Sequence, residues 1–166
     1  MLVVSNTSPL LNLAILDALD LLVQQFRTLL LPEAVFAELQ IDTNLPGAAA
    51  LRSAYQDGLF RVEPVTDRVR VRLLQRDLDA GEAEAIALAL EKSADWLLLD
   101  ERDGRRAAKA LGLRVTGVLG ILLRARLQGQ LPSLRRAMDD LRNQAGFRIS
   151  DALYGQLLSA AGESTR

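Results

Sequence analysis

The chain contains neither cysteine nor histidine. Those two absences remove thiolate and imidazole catalysis, disulfides, and zinc held by sulfur or imidazole. Chemistry is left to carboxylates, hydroxyls, amines, or a metal ion held by oxygen. Two polar residues directly follow apolar runs: Asn6 after Leu2–Ser5 and Asp100 after Trp96–Leu99. Three carboxylates sit on helical segments, and a helix turns by about 100° per residue, so their facing follows from counting. Glu82 shares a side with Ile86, Ala89 and Leu90, while Glu84 and Glu91 fall opposite. Glu38 lies beside Val35 and Leu39, with Glu33 facing away. Asp103 shares a face with Ala107, Ala110 and Leu111, and Arg102, Arg105 and Lys109 turn outward.

Each of these has a purely structural reading as well. Asn6 could close a turn, Glu82 could complete a capping box with Asp79, Asp103 could favour a helix dipole, and Glu38 could be a surface acid. If they converge at one end of one sheet, carboxylates without basic partners repel one another, and a hard divalent cation relieves that repulsion. An all-oxygen donor set suits Mg²⁺ or Mn²⁺ rather than zinc.

The elements that position these residues alternate. Strands are expected at Leu2–Ser5, Thr28–Leu31, Leu59–Val65, Trp96–Leu99 and Leu113–Thr116. A helix is expected from Ser8, with Pro9 at its first position, to about Val23; others at Pro32–Gln40, at Gly47–Gln56, and from about Asp67. Asp79-Ala80-Gly81-Glu82 caps the helix AEAIALALEK, Gly112 ends the helix over 102–111, and three helices follow at about 118–128, 133–144 and 150–161. This alternation implies a mostly parallel sheet of four or five strands with helices on both faces. Ligands of such folds bind outside the carboxyl ends of the strands, where the strand order reverses.

At 166 residues and 49% hydrophobic, the chain can bury a core as one domain, with residues 1–145 as its body and about 146–166 as a C-terminal helix. Net charge is −1, but residues 1–60 carry two basic side chains against six acidic, and residues 102–148 carry eleven against three. The basic stretch either tracks phosphates or solvates outer helix faces. The first basic residue is Arg27, so a signal peptide reads poorly, and no apolar run spans a bilayer; a cytoplasmic protein with no membrane association is expected.

The ordered segments VVSNTSPLLNLA, LPEAVFAEL, LDAGEAEAIALALE, DWLLLDERDGRRAAKALGL, VTGVLGILLRARLQG and GFRIS resemble the PIN-domain family, and within it the bacterial PIN-like subgroup long of unknown function. The resemblance implies an α/β/α sandwich with the first and fourth strands adjacent, and a Mg²⁺- or Mn²⁺-dependent endoribonuclease similar to VapC-type toxins. Such an enzyme leaves a 5′-phosphate and a 3′-hydroxyl. It implies a small antitoxin partner and a homodimer. The family's acidic quartet falls on Asn6, Glu38, Glu82 and Asp100, with Asp103 as a further member, and its hydroxyl on Thr7 or Ser8. Arg102, Arg105 and Arg106 would guide the phosphate backbone at the rim. One departure matters: Asn6 stands where the family carries Asp, so one ligand charge is lost. That leaves an alternative, a catalytically weakened module that binds RNA or a protein without cutting. A small-molecule phosphatase on another doubly wound fold lacks a matching nucleophile motif.

Overall fold

Five short apolar strands form the centre of the protein in the computed structural model, which describes residues 1–165. They are β1 (Leu2–Ser5), β2 (Thr28–Pro32), β3 (Phe60–Glu63), β4 (Trp96–Leu98) and β5 (Val115–Thr116), in the order β3-β2-β1-β4-β5. All four neighbouring pairs are parallel. Parallel strands need long crossovers, and the helices that provide them cover the faces, so β1 and β2 read as nearly unbroken aliphatic runs.

The crossovers and the C-terminal segment hold ten helices among the described residues: α1 (Thr7–Ile15), α2 (Asp20–Gln25), α3 (Glu33–Leu39), α4 (Ala48–Gln56), α5 (Arg68–Leu74), α6 (Ala80–Glu91), α7 (Arg102–Ala110), α8 (Val118–Leu127), α9 (Leu134–Ala145) and α10 (Asp151–Ala160). Helix α6 packs on β1, β2 and β4 and touches α3, α5 and α7, while α8 touches α1, α2, α9 and β5. The α/β architecture with a parallel sheet and a helical C-terminus is therefore the one expected. From β1 the chain builds outward through β2 and β3, then returns to the other side of β1 with β4 and β5. The order reverses between β1 and β4, and the residues after those strands are Asn6 and, two positions past Leu98, Asp100.

One expected helix is two. The apolar pattern runs on to Val23, but α1 stops at Ile15, because Asp17 adopts φ 55°. Ala18 N donates to Leu13 O at 2.8 Å and Asp17 N to Ala14 O at 3.0 Å, the paired closure of a Schellman turn. Thr7, not Pro9, opens α1, and Pro9 sits in the first turn, where its missing N–H removes no helical bond. At the other end of the chain, Glu163 accepts from Leu134 N at 2.6 Å, Arg135 N at 3.2 Å and Arg126 Nε at 2.9 Å, folding the tail onto the start of α9. No helix among the described residues is long and apolar enough to cross a membrane.

Candidate active site

Asn6 extends β1 by one step: its backbone N–H donates to Leu98 O in β4 at 2.9 Å. It then takes the N-cap position of α1, a place where an asparagine side chain usually accepts from the first helical amides. Here it makes no capping bond. The residue is 4% exposed, and its Oδ1 has no hydrogen-bond partner. Leaving a buried acceptor bare costs about 1–3 kcal/mol. The Asn6 side chain thus holds an enclosed, unpartnered oxygen at the reversal point of the sheet.

The next two residues reach to opposite sides. Thr7 Oγ1 donates to Glu38 Oε2 at 2.6 Å, and Ser8 Oγ donates to Asp100 Oδ2 at 3.2 Å. Because β1 is central, the start of α1 can hold a carboxylate from α3, after β2, and another from the segment after β4. The second oxygen of Asp100 accepts from Val118 N at 2.9 Å, an amide at the start of α8 that has no helical partner. Asn12 Nδ2 donates to Ser8 Oγ at 3.1 Å from one turn along α1. Burial raises the Asp100 carboxyl above the usual range, and the Val118 amide and Ser8 hydroxyl draw it back.

Glu82 sits at the start of α6, 8% exposed. Asp79 Oδ1 caps the helix by accepting from Glu82 N at 2.8 Å. The Glu82 carboxyl is pushed up to about 7, first by burial, then by the hydrogen bond and charge of Asp79 and by the charge of Glu101. Glycines let these acids approach the helices. A Cβ on Gly81 would lie 2.6 Å from Glu38 Oε1, and one on Gly104 would lie 2.7 Å from Glu82 Oε2.

Two hollows flank α7. One is acidic, bounded by Asp77, Asp79, Glu82, Glu101 and Asp103; the other is basic, bounded by Asp100, Arg105, Arg106 and Lys109. Arg102 borders both. A larger groove between α2 and α4 contains none of these residues. So Asn6, Thr7, Ser8, Glu38 and Asp100 meet at the start of α1, whereas Glu82 and Asp103 open onto the acidic hollow beside it. Among the described residues no three carboxylates form a group that could by itself enclose a metal ion. Carboxylate and amide oxygens are the donor types that suit Mg²⁺, which keeps several waters and is held by one or two carboxylates plus substrate phosphate.

Three facings differ from helical counting. Glu84 is buried, accepting from Ala34 N at 3.1 Å and from Arg68 Nη1 at 3.2 Å, because α3 and α5 cover the side of α6 that counting left to solvent. Asp103 is exposed, because α7 turns Gly104 and Ala108 inward instead. Arg105 is half-buried and reaches back, its Nη1 donating to Leu99 O at 2.9 Å. Counting also passed over Asn12 and Glu101; the i, i+4 spacing from Ser8 was the one signal for Asn12.

A family model described as a PIN domain matches residues 2–163. Neither the curated proteins nor the solved structures gave a match.

Proposed function

Since the chain belongs to the PIN-domain family, whose members are typically nucleases, we propose that it is a Mg²⁺- or Mn²⁺-dependent endoribonuclease. The observation that supports this most directly is the pair of hydrogen bonds from Ser8 and Val118 that holds Asp100 at the reversal point of the sheet, where Asn6 ends the neighbouring strand. Asp100 and Asn6 would hold the cation directly, Glu38 and Glu82 through bound water, with Asp103 at the rim. When bound, a divalent ion polarises the phosphoryl oxygen and lowers the pKa of an attacking water. The chain's own residues do the rest. Ser8 and Val118 keep Asp100 oriented, Thr7 keeps Glu38 at the mouth, and Thr7 and Ser8 stand at the start of α1, where the helix dipole favours a phosphate. Arg102, Arg105, Arg106 and Lys109 would take the neighbouring phosphates. Water adds to phosphorus, the bond to the 3′-oxygen breaks, and that oxygen gains the proton, leaving 5′-phosphate and 3′-hydroxyl ends. On the family resemblance we extend the reading to the toxin of a toxin–antitoxin pair, a cytoplasmic homodimer bound by a small cognate antitoxin.

A second reading, a module that holds RNA or a protein without cutting, is favoured by the neutral Asn6 and by the lack of a three-carboxylate group among the described residues. Incubating generic RNA with the purified chain and Mn²⁺, beside Asp100→Ala, separates the two. The proposal expects cleavage by the natural chain and none by the variant. RNA retained by both without cleavage supports the second reading, and equal cleavage by both removes Asp100 from the chemistry.

A further inference from the structure

Asn12 is an amide among leucines. It lies in the middle of α1, is 8% exposed, and has the buried Leu10, Leu13 and Ala14 as near neighbours in sequence. Asparagine is a poor interior helix residue, and burying its amide has a desolvation cost that leucine would avoid. Its partner accounts for its presence. Ser8 Oγ has one proton, and that proton goes to Asp100 Oδ2 at 3.2 Å. An ionised carboxylate only accepts, so the Ser8 oxygen is left to accept from residue 12, and the amide Nδ2 meets it at 3.1 Å. The three side chains form a one-way chain of donors, from Asn12 to Ser8 to Asp100.

We infer that Asn12 is a positioning residue for Asp100: by donating to Ser8 it commits the Ser8 proton to Asp100 Oδ2 and, with the Val118 amide on Oδ1, holds the carboxylate in one orientation. The functional part of this inference rests on the reading of Asp100 as a cation ligand; the orienting part does not. Without Asn12 the Ser8 hydroxyl is free to rotate, and Asp100 keeps one certain donor instead of two. Groups that orient a ligand from behind typically change metal affinity by about 10–100-fold when removed.

Two variants of the full chain test it. Asn12→Leu removes the donor and fills the space with an apolar side chain. Asn12→Asp keeps the shape but can only accept, so it draws the Ser8 proton away from Asp100. Two measurements apply: calorimetric titration with Mn²⁺ alone, and amide hydrogen exchange of Val118 by NMR without metal, since that amide depends on Asp100 for its protection. Both variants are expected to exchange Val118 about tenfold faster and to bind Mn²⁺ about tenfold more weakly. Asn12→Leu is expected to melt at or above the natural temperature, which a merely structural role for the amide would not allow. Natural exchange at Val118 in either variant overturns the inference, and Asn12→Asp, being nearly isosteric, decides the matter if the leucine variant does not fold. If the natural chain neither binds Mn²⁺ nor cuts RNA, the ribonuclease reading fails, and Val118 exchange still decides the role of Asn12.

Discussion

Gly117 gives Asp100 its room: a Cβ at residue 117 would overlap Asp100 Oδ1 and stand 3.2 Å from Arg105 Nη1. The backbone there is extended, at φ −132° and ψ −169°, a conformation open to any residue, so space alone excludes a side chain. Gly117→Ala must push Asp100 aside or shift the start of α8, and either breaks the bond from Val118. The expected cost is about 1–3 kcal/mol of stability, with Mn²⁺ affinity lower by about tenfold or more. Urea melts and Mn²⁺ titration check this, and an alanine variant with unchanged affinity would show that Asp100 works from a different position.

Asn6→Asp puts a carboxylate where a buried amide oxygen now has no hydrogen-bond partner. Without a cation the new charge is desolvated, and the chain should lose about 2 kcal/mol. Saturating Mn²⁺ should return that stability, bind about tenfold more tightly than in the natural chain, and raise RNA cleavage. Thermal melts with and without Mn²⁺ read the difference. A variant that Mn²⁺ stabilises no better than the natural chain would place Asn6 away from the cation.

The raised Glu82 carboxyl sets a pH dependence. It takes up its proton at about 7 in the folded chain, against 4.5 as the ordinary value. Between those values the folded state holds more protons than the unfolded state, so stability falls as pH rises through that window and levels off above about 7. The burial of Asp100 acts in the same direction. The expected loss from pH 5 to pH 8 is on the order of 1 kcal/mol in urea melts without metal. Mn²⁺ favours the ionised forms, so its affinity should climb over the same window and the stability loss should shrink. Glu82→Gln should flatten the metal-free profile.

Glu84 joins three helices, and its removal tests a role unrelated to the cation. Its side chain is 11% exposed against 55% for Arg68. In Glu84→Ala the arginine can turn to water, but the Ala34 amide at the start of α3 loses its acceptor. About 2 kcal/mol of stability should be lost, and Glu84→Gln, which keeps an acceptor for Ala34, should lose about half as much. Urea denaturation of the two variants gives the comparison. Equal losses would assign the effect to Arg68.

Asn6 and Asp100 stood out in the sequence because each breaks the apolar pattern at the end of an aliphatic strand, and the β-α alternation says which strand ends meet. The cap at Asp79 was legible for a similarly local reason, since its side chain answers an amide three residues on. Facing was less legible. Helical counting assumes one buried side, and α6 is buried from Gly81 through Ala89 on every side, so Glu84 went inside where counting placed it out. On α7 the glycine at 104 let the helix sit close over Leu99 and turned Asp103 to solvent. The break at Asp17 was hidden because its left-handed backbone is held by hydrogen bonds to Leu13 and Ala14, with no glycine to announce it. Asn12 was hidden by its leucine neighbours, since its partner, Ser8, takes its meaning from a residue far along the chain.

That distance has a consequence for how the protein is made. β1 pairs with β2 across a short stretch of chain, but its other edge waits for β4, and Ser8 meets Asp100 across 92 residues. Contacts so far apart in sequence form late, after the entropy of closing a long loop has been overcome. While the ribosome works, the emerging half-sheet shows a bare strand edge, a point of vulnerability to aggregation. It also lacks Asp100 and the Val118 amide that orients it. The candidate centre therefore comes together only once the chain has been made as far as Val118.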